Sequence, residues 1–562
     1  MILKSNQIRR LVKLAVLTAT AIFCRNTQAD TFLWNAAGPG ANNWSAGANW
    51  NPTGVPGIAD AAVFGDAGTG SDSVTVNNIV DAPMSVADLS YTNDTSGTWH
   101  VTQISAPNTL TVTNSFTAGG LAGSDSFFTS AAMVGNGTFE VDGNNFKVSD
   151  LGSSSSSQAH ATFDMSGLSN FVYNAPGGTW VIAGSGSDAR EGGVLNLAGY
   201  SNNITVGTIN FNTGSGNNSP FHSLLQLGGG TNIFNVNSFV VCQTKAQFAT
   251  VQFLPGVPAG AGLRIRGTNG NADDTSRANI TLGDRNNTGS ANTDGEMLLN
   301  GYPVDIKADT LLIGQDRSGS STSTHGGIGV LQFDTGIVDA TTINMGICSS
   351  AGVKSTAQGT LNVGANGTLI VGTGGITLGS LTSATAGGGA LTISGTAICS
   401  NSIVKGTATA TNAVDLSNGK LTMTSGVIGT PDAPVDYFTL ASSTMTLPVV
   451  SDTTNIAVSN FNPVDTASII NISSLPILTG YPSDLPLIKY SSFIGAGSVS
   501  LGTLPGTFKG YITNDTTVNT VFLVVTNGPA TSETDTWTGS ASSTWDTSSL
   551  NWTSAGTAAA YK

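Results

Sequence analysis

A short motif of Gly, any residue, Leu, any residue and a large apolar residue recurs at a fixed interval in the middle of the chain. Its leucines follow one another at a constant interval of 30 and are Leu331, Leu361, Leu391 and Leu421. Apolar residues at alternate positions are typical of a β-strand with one buried face. A unit of this size cannot bury its apolar face alone, so stacked units must share one core. We therefore expect the four leucines to form an internal ladder.

A second strand pattern, closed by glycine, lies between these motifs. It occupies Ile280–Gly283, Leu311–Gly314, Ile343–Gly346 and Ile376–Gly379. A β-sandwich array would need about seven strands per ~100 residues without a short period, and a propeller needs four strands in each blade. The sequence therefore predicts an all-β fold, and specifically a right-handed parallel β-solenoid (β-helix).

Tryptophans mark both ends of the chain that follows residue 29. Two copies of one element account for six of the eight tryptophans, namely Trp34, Trp44, Trp50, Trp537, Trp545 and Trp552. The first copy continues into Asp60–Phe64, whereas the second reaches Lys562 without this continuation. We interpret the second copy as the truncated start of another module, in a fragment of a longer tandem array.

The segment 1–29 has the pattern of a secretory signal peptide. A basic start precedes an apolar stretch from Leu14 to Cys24, which is too short for a membrane span of ~20 residues, and Thr27–Ala29 suits signal cleavage. We expect export through the Sec pathway to a secreted or cell-surface location, and no transmembrane segment in the mature chain. Cleavage would change the net charge from −14 to −19, because the segment holds five basic residues and no acidic one.

Changes in composition and in the repeat pattern divide the rest of the chain into predicted domains. We predict an N-terminal Trp-motif β module at 30–74, solenoid repeats at 75–430, a C-terminal β cap at 431–530, and the truncated second module at 531–562. The acidic balance excludes a nucleic-acid partner, since phosphate binding needs clustered Lys and Arg. Three cysteines remain after signal cleavage, Cys242, Cys348 and Cys399, and their spacing predicts thiols rather than disulfides.

These motifs together resemble a known family. The Trp element, the Gly-x-Leu-x-Val units and the segments Asn471–Pro476, Pro486–Tyr490 and Leu501–Pro505 are similar to bacterial autotransporter-associated β-strand repeat proteins. The resemblance implies a passenger-like β-helix outside the cell, at the outer-membrane surface. It supplies no catalytic residues.

The densest charge in the sequence allows two interpretations. It comprises Asp273, Asp274, Arg277, Asp284, Arg285, Asp294 and Glu296. Carboxylates could hold Ca²⁺ while an Arg abstracts a proton, as in a polysaccharide lyase. The pair Asp284–Arg285 is however followed by Asp316–Arg317 about one repeat later, which favours ion pairs that stabilise turns on the surface, each contributing ~0–1 kcal/mol. We expect the structural role, with no catalytic residue, no cofactor and no metal ligand.

Aromatic and imidazole side chains are the remaining candidates for a site. Exposed faces of Trp34, Trp44 and Trp50 could stack on sugar rings, but buried rings would supply the apolar area that a small module needs. The second role is the one we expect. The histidines, His100, His160, His222 and His325, have no metal-like spacing, and we expect them on the surface or in turns.

A structural role at the cell exterior is therefore the leading hypothesis. We expect a non-catalytic β-solenoid that serves as a structural or adhesive spacer, with an extracellular polysaccharide or a neighbouring or host cell surface as its partner. The alternative is a β-helix that binds or cleaves polysaccharide.

Overall fold

The chain is all-β, as the sequence predicts. The computed structural model describes residues 29–36, 42–119, 126–150, 158–184, 190–214, 221–244, 247–286, 292–318, 325–349, 356–382, 386–407, 409–450, 453–529, 535–546, 548–554 and 557–559. These residues form a parallel β-solenoid of about 14 turns. Residues 1–28 of the predicted signal peptide lie outside the described residues.

The N-terminal half contains short strands at its start and long, bent strands later. Their bounds are β1 Thr31–Trp34, β2 Asn42–Asn43, β3 Trp50–Asn51, β4 Ala61–Phe64, β5 Asn78–Val80, β6 Met84–Tyr91, β7 His100–Ile104, β8 Thr109–Ala118, β9 Ser126–Val141, β10 Asn145–Val148, β11 Gln158–Ile182, β12 Arg190–Asn196, β13 Ser201–Phe211, β14 Ser223–Leu227, β15 Thr231–Gln243, β16 Phe248–Phe253, β17 Gly262–Arg266, β18 Ala278–Arg285 and β19 Thr293–Leu298. A single 3₁₀ turn, Gly47–Asn49, is the only helical element among the described residues.

The C-terminal half continues in the same way and ends in short strands. Their bounds are β20 Pro303–Asp316, β21 Gly326–Cys348, β22 Thr356–Leu381, β23 Ala386–Ile393, β24 Thr396–Cys399, β25 Ile403–Lys405, β26 Ala413–Ser417, β27 Lys420–Met423, β28 Val435–Ala441, β29 Thr444–Pro448, β30 Ile456–Pro463, β31 Ser468–Ser474, β32 Ser483–Phe493, β33 Val499–Leu501, β34 Lys509–Asp515, β35 Thr520–Asn527, β36 Asp535–Trp537, β37 Trp552–Ser554 and β38 Thr557–Ala559.

The turns of the solenoid stack into three parallel sheets. Strand β22 shows the arrangement, because it pairs in parallel with three successive strands of the next turn. Its Leu361 lies beside Leu391, its Leu369 beside Ala397 and its Ile376 beside Ile403. We call the sheets that contain Leu361, Leu369 and Ile376 the first, second and third sheet. Long strands bend from one sheet into the next, which joins the three into one hydrogen-bonded surface.

An unbroken ladder of buried side chains fills the core behind the third sheet. Each member lies in register with the next, in the order Phe32, Ala62, Leu89, Phe116, Phe146, Trp180, Ile209, Phe239, Ile280, Leu311, Ile343, Ile376, Ile403, Ile428, Ile456 and Ile488. The N-terminal members are largely aromatic and the C-terminal ones aliphatic. With a strand spacing of ~4.8 Å, the ladder is on the order of 70 Å long.

The predicted leucine ladder is present in the first sheet, with one correction. Leu331, Leu361 and Leu391 pair in register. Leu391 then pairs with Val414, and Leu421 lies instead in the second sheet beside Ala397. The prediction is wrong for Leu421 because the turn from Leu391 to Val414 is shorter than the turns before it. The residue 30 positions after Leu391 therefore lies beyond the first sheet, in the second sheet of the same turn.

The glycines that close the third-sheet strands have a geometric role. Gly283, Gly314, Gly346 and Gly379 have φ between +58° and +71°. A Cβ atom on Gly283 would collide with the carbonyl oxygen of Ile328, and one on Gly314 with that of Gln358. Only glycine combines a left-handed backbone with so close an approach to the neighbouring strand. The glycines therefore turn the chain from the third sheet back to the first.

Both ends of the solenoid include antiparallel pairs. At the N-terminus β1 pairs with β3 antiparallel and with β4 parallel, so the Trp module continues directly into the third sheet. At the other end parallel pairing continues through β33, and the antiparallel pairs β32–β35 and β34–β35 close the stack. The predicted cap at 431–530 thus starts with further parallel turns, which are shorter than those of the repeats before it.

Candidate functional site

The tryptophans of the first module lie inside the molecule. Trp34, Trp44 and Trp50 are 2%, 0% and 1% exposed. The Nε1 group of Trp44 donates to Oδ1 of Asn78 at 2.8 Å, and Nε1 of Trp50 donates to the carbonyl oxygen of Trp44 at 2.9 Å. These rings have no free face for a sugar. The alternative of carbohydrate stacking at these three residues is therefore wrong, since the module needs the rings for its core.

The acidic stretch between residues 273 and 296 does not form one site, because the fold disperses it. Asp274 accepts hydrogen bonds from Arg264 at 2.8 Å, Arg266 at 3.0 Å and Lys307 at 3.2 Å. The hydrogen bond from Arg264, followed by those from Lys307 and Arg266, lowers the pKa of Asp274 well below its usual range. This carboxylate ties the connection between β17 and β18 to the outside of the second sheet.

Arg277, the residue suited to proton abstraction in a lyase, is held in a structural pair. Its Nη2 atom lies 2.9 and 2.8 Å from the two carboxylate oxygens of Asp339, and its Nη1 donates to the carbonyl oxygens of Ala308 and Asp339. The bond to Ala308 reaches the next turn, and the bonds to Asp339 reach the turn after it. Arg277 therefore acts as a clamp between turns in this structure.

The repeated Asp–Arg pairs exchange partners between turns. Arg285 pairs with Asp316 at 3.1 Å, and Arg317 pairs with Asp284. The side chains of Arg285 and Asp316 are both fully buried. The prediction of surface pairs is wrong here, because both residues lie at strand ends that the neighbouring turns cover. Removal of one partner of such a buried pair costs about 3–5 kcal/mol.

The three cysteines are buried, whereas the histidines differ: His100 is buried, His160 and His325 are partly exposed, and His222 is exposed. His100 is 0% exposed in β7, which contradicts the predicted surface position, and burial lowers its pKa to about 4. Cys242, Cys348 and Cys399 are buried and form no disulfide, as predicted. Burial raises the pKa of Cys242 well above its usual value and that of Cys399 to about 12, so these thiols stay protonated.

Aromatic rings and carboxylates meet on the outer face of the first sheet, at β9, β11, β14, β16 and β19. We call this surface the aromatic–acidic patch and define it as Phe128, His160, Phe221, His222, Phe248, Asp294 and Glu296. The fold brings these residues together although they come from four strands, β9, β11, β16 and β19, and from the two residues that precede β14. They point outward because the intervening residues of each strand, such as Ala161 and Met297, fill the core.

The rings of the patch lie next to one another along the solenoid axis. Ring centroids are 6.5 Å apart for Phe128 and His160, 4.9 Å for His160 and Phe221, and 6.0 Å for His222 and Phe248. Phe221 occupies the space above Gly192, where a Cβ atom would collide with it. Phe248 is 43% exposed although it is a large apolar residue. The result is a row of rings open to solvent.

Two carboxylates continue this row on β19. Phe248 pairs in register with Asp294, and Thr250 with Glu296. The hydroxyl of Thr250 donates to Oε2 of Glu296 at 3.1 Å, so Nε2 of His222, 2.7 Å from the same hydroxyl oxygen, acts as a donor. This chain of hydrogen bonds fixes the Glu296 carboxylate beside the rings.

Of the two acids in the patch, Asp294 has the negative charge that is less well compensated by its surroundings. Its Oδ1 atom is buried and has no hydrogen-bond partner among the described residues. Burial, followed by repulsion from Glu296, raises the pKa of Asp294 to about 7. A cation bound against the outer face of β19 would relieve both effects.

The outer face of the first sheet continues from the patch into a shallow groove. Asp294 pairs with Ile328, Ile328 with Gln358, and Gln358 with Gly388. The groove has a volume of about 500 Å³, and small residues such as Thr360 and Ala390 line it with Gln358 and Gly388. We call the patch and the groove together the exterior track. From Phe128 to Gly388 the track is on the order of 40 Å long.

Sequence reasoning missed the patch as a unit. It named Asp294 and Glu296 in an acidic stretch and His160 and His222 as isolated residues. Neighbours on the sheet are separated by unequal lengths of chain, for example a shorter one from Phe128 to His160 and a longer one from Phe248 to Asp294. The available signal was an aromatic or acidic residue at the outward position of several strands, which can be recognised once the register of each strand is known.

Neither a metal cluster nor a membrane-spanning helix is seen in the described parts of the chain. No group of three or more His, Cys, Asp or Glu residues there is placed to hold a metal ion. No helix of the described residues is long and apolar enough to cross a bilayer.

The fold places the chain among parallel β-solenoids. Comparison with protein-family models and with curated proteins finds no match. Among solved structures, the crystal structure of the autotransporter UpaB from E. coli strain CFT073 is similar, with 11% sequence identity, coverage of 89% of this chain and 100% of that chain, and a TM-score of 0.25. Membership of the autotransporter-associated repeat family stays a prediction.

Proposed function

We propose that this protein is an exported, non-catalytic β-solenoid that acts as a structural and adhesive spacer at the outside of the cell. The observation that carries the proposal is the unbroken core from Phe32 to Ile488, since it makes one long body from a chain with little charge. The signal-peptide pattern supports export. The exterior track supplies a surface on which a partner could lie.

Structural ion pairs support the non-catalytic part of the proposal. The lyase alternative rests on Asp273, Asp274, Arg277, Asp284, Arg285, Asp294 and Glu296, of which the last two lie in the aromatic–acidic patch. Four of the others, Asp274, Arg277, Asp284 and Arg285, contribute to pairs that join turns. Asp273 accepts from the backbone N–H and the hydroxyl of Thr275 in its own loop. These groups hold the fold together in the arrangement seen.

Adhesion of beads coated with the full mature chain tests this proposal. Coated beads should adhere to bacterial cells and to polysaccharide-coated glass, and beads coated with Leu361→Asp should not. Leu361 is buried in the first-sheet ladder, so an unpaired charge there should cost several kcal/mol of folding free energy. Asn362→Asp is the matched control, because it places the same charge on the outward side of the same strand.

Analysis of reaction products distinguishes the proposed non-catalytic spacer from the alternative, a β-helix that cleaves polysaccharide. The wild-type chain should release neither reducing ends nor unsaturated sugars from neutral polysaccharides, or from polyuronate with Ca²⁺. Release of either product, abolished by Asp294→Asn or Glu296→Gln, would overturn the non-catalytic proposal. Equal adhesion of wild-type, Leu361→Asp and uncoated beads would overturn the adhesive one.

A further inference from the structure

The exterior track differs from the rest of the solenoid surface in its chemistry. Outward positions elsewhere on the first sheet include small or amide side chains, such as Thr162, Asn362 and Thr392, and aliphatic ones, such as Val194, Leu224 and Val330. The patch instead presents three phenylalanines and two histidines beside two carboxylates. Exposed apolar surface with a polar margin marks binding sites in soluble proteins. A ligand for this surface must therefore offer apolar faces as well as polar groups.

The shape of the track selects an extended ligand. Its rings follow one another along the solenoid axis in turns that are ~4.8 Å apart, and Asp294 and Glu296 lie side by side on β19, in the turn that follows Phe248. A chain of pyranose rings is extended, has a similar repeat, and presents C–H faces that pack on aromatic rings. The groove after Asp294 has Gly388 and Ala390 on its floor, which leaves room for the ligand to continue.

The negative charges of the patch restrict the chemical class of the ligand further. Asp294 and Glu296 face outward two residues apart on β19, and the described outward positions beside them contain no Lys or Arg. An acidic sugar would be repelled there. An ammonium group would form charge-assisted hydrogen bonds to Glu296 and would lie close to the carboxylate of Asp294, whose Oδ1 has no partner among the described residues. The same cation would favour the ionised form of Asp294.

We propose that the exterior track binds an extended polysaccharide that carries amino groups rather than acid groups. The proposal rests on the adhesive function proposed above and names its ligand class. Sugar rings lie on Phe248 and the neighbouring rings, and the ammonium groups lie at Asp294 and Glu296. The polymer runs parallel to the solenoid axis.

Calorimetric titration of the full mature chain at pH 6 tests this proposal. The probes are a glucosamine hexamer, its N-acetylated counterpart and a galacturonic acid hexamer. The glucosamine hexamer should bind at least about tenfold more tightly than the acetylated one, and the galacturonic acid hexamer should not bind. Added salt should weaken binding of the glucosamine hexamer selectively.

Paired variants separate the contribution of the two carboxylates to binding from that of the aromatic rings. The double variant Asp294→Asn, Glu296→Gln should reduce affinity for the glucosamine hexamer about tenfold or more and leave the acetylated hexamer unchanged. Phe248→Ala should weaken both hexamers. Asp432→Asn and Tyr200→Ala are controls, because they alter an exposed acid and an exposed ring away from the track. Melting curves check that each variant is folded.

Three outcomes would overturn the assignment. One is preference for the galacturonic acid hexamer. Another is oligolysine binding that depends on the two carboxylates but not on Phe248, which would point to a basic peptide. The third is absence of binding to all probes. If beads coated with wild-type chain still adhere to cells in that case, the adhesive function stands and only its ligand class fails.

Discussion

The two Trp elements have the same sequence pattern but different surroundings. In both, two tryptophans pair across antiparallel strands, Trp34 with Trp50 and Trp537 with Trp552. In the first copy Phe64 packs on the tryptophans, with ring centroids 5.2 Å from Trp34 and from Trp44. In the second copy Trp552 is buried, at 6% exposure, whereas Trp545 is 69% exposed. In the first copy the strand that follows the motif thus supplies the ring that completes the burial of the cluster.

The same difference separates a module that belongs to the core from one that forms its own small sheet. Strand β4 carries Phe64 and links the first copy to the third sheet of the solenoid. Strands β36, β37 and β38 pair only with one another among the described residues. Strand β4 thus covers the aromatic cluster of the first copy and also continues the sheet hydrogen bonds from the module into the solenoid.

The largest expected effect comes from removing one tryptophan in each copy. Trp44→Ala should destabilise the protein by about 3–5 kcal/mol, because it leaves a cavity in a closed aromatic cluster. Trp545→Ala, at an exposed ring, should change stability by no more than about 0.5 kcal/mol. Urea unfolding followed by circular dichroism measures both. Equal losses would contradict the comparison.

A smaller effect concerns the histidine that packs under Phe64. His100 lies 5.1 Å from Phe64 between ring centroids, and its Nε2 hydrogen-bonds to the carbonyl oxygen of Gly65. Its folded-state pKa of about 4 is below the ordinary 6.5, so its stabilising contribution is complete above pH 6.5 and is lost as the pH falls through 4.

Acidification should therefore destabilise the N-terminal end by on the order of 2–3 kcal/mol between pH 7 and pH 4. In His100→Gln, which keeps a hydrogen-bond donor but cannot titrate, this part of the pH dependence should disappear. Thermal unfolding followed by tryptophan fluorescence at several pH values is the measurement. An unchanged pH profile in the variant would show that His100 does not control it.

The smallest effect tests how specific the aromatic cover is. Phe64→Leu keeps an apolar residue over Trp34 and Trp44 but loses the ring contacts, so we expect a loss of about 1–1.5 kcal/mol. Tyr511→Ala, at a half-exposed ring of the C-terminal closure, serves as the control and should change stability less. A loss above about 3 kcal/mol for Phe64→Leu, the range of large cavities, would mean that the cover requires an aromatic ring.

The fold was largely predictable because its signals are local. Alternating apolar residues and strand-closing glycines identify the strands, and equal intervals place Leu331, Leu361 and Leu391 in one ladder. Leu421 shows the limit, since the interval alone does not reveal that a turn has shortened and that Val414 takes the expected position. Buried tryptophans were expected, whereas the covering role of Phe64 depends on which strand pairs with β1.

The candidate site was not predictable for a related reason. Phe128, His160, Phe248 and Asp294 become neighbours only when the length of every intervening connection is known. The buried pair of Arg285 and Asp316 likewise has the sequence of a surface turn. Its burial follows from the adjacent turns, which no local pattern describes.

The direction of the sheet hydrogen bonds has a mechanical consequence. In this solenoid those bonds lie along the long axis, so a force applied at the two ends of the chain loads one turn at a time. Each turn that detaches would release about 30 residues, or roughly 100 Å of extended chain. Under tension the solenoid would therefore lengthen in steps, and the turns that have not yet detached would stay intact.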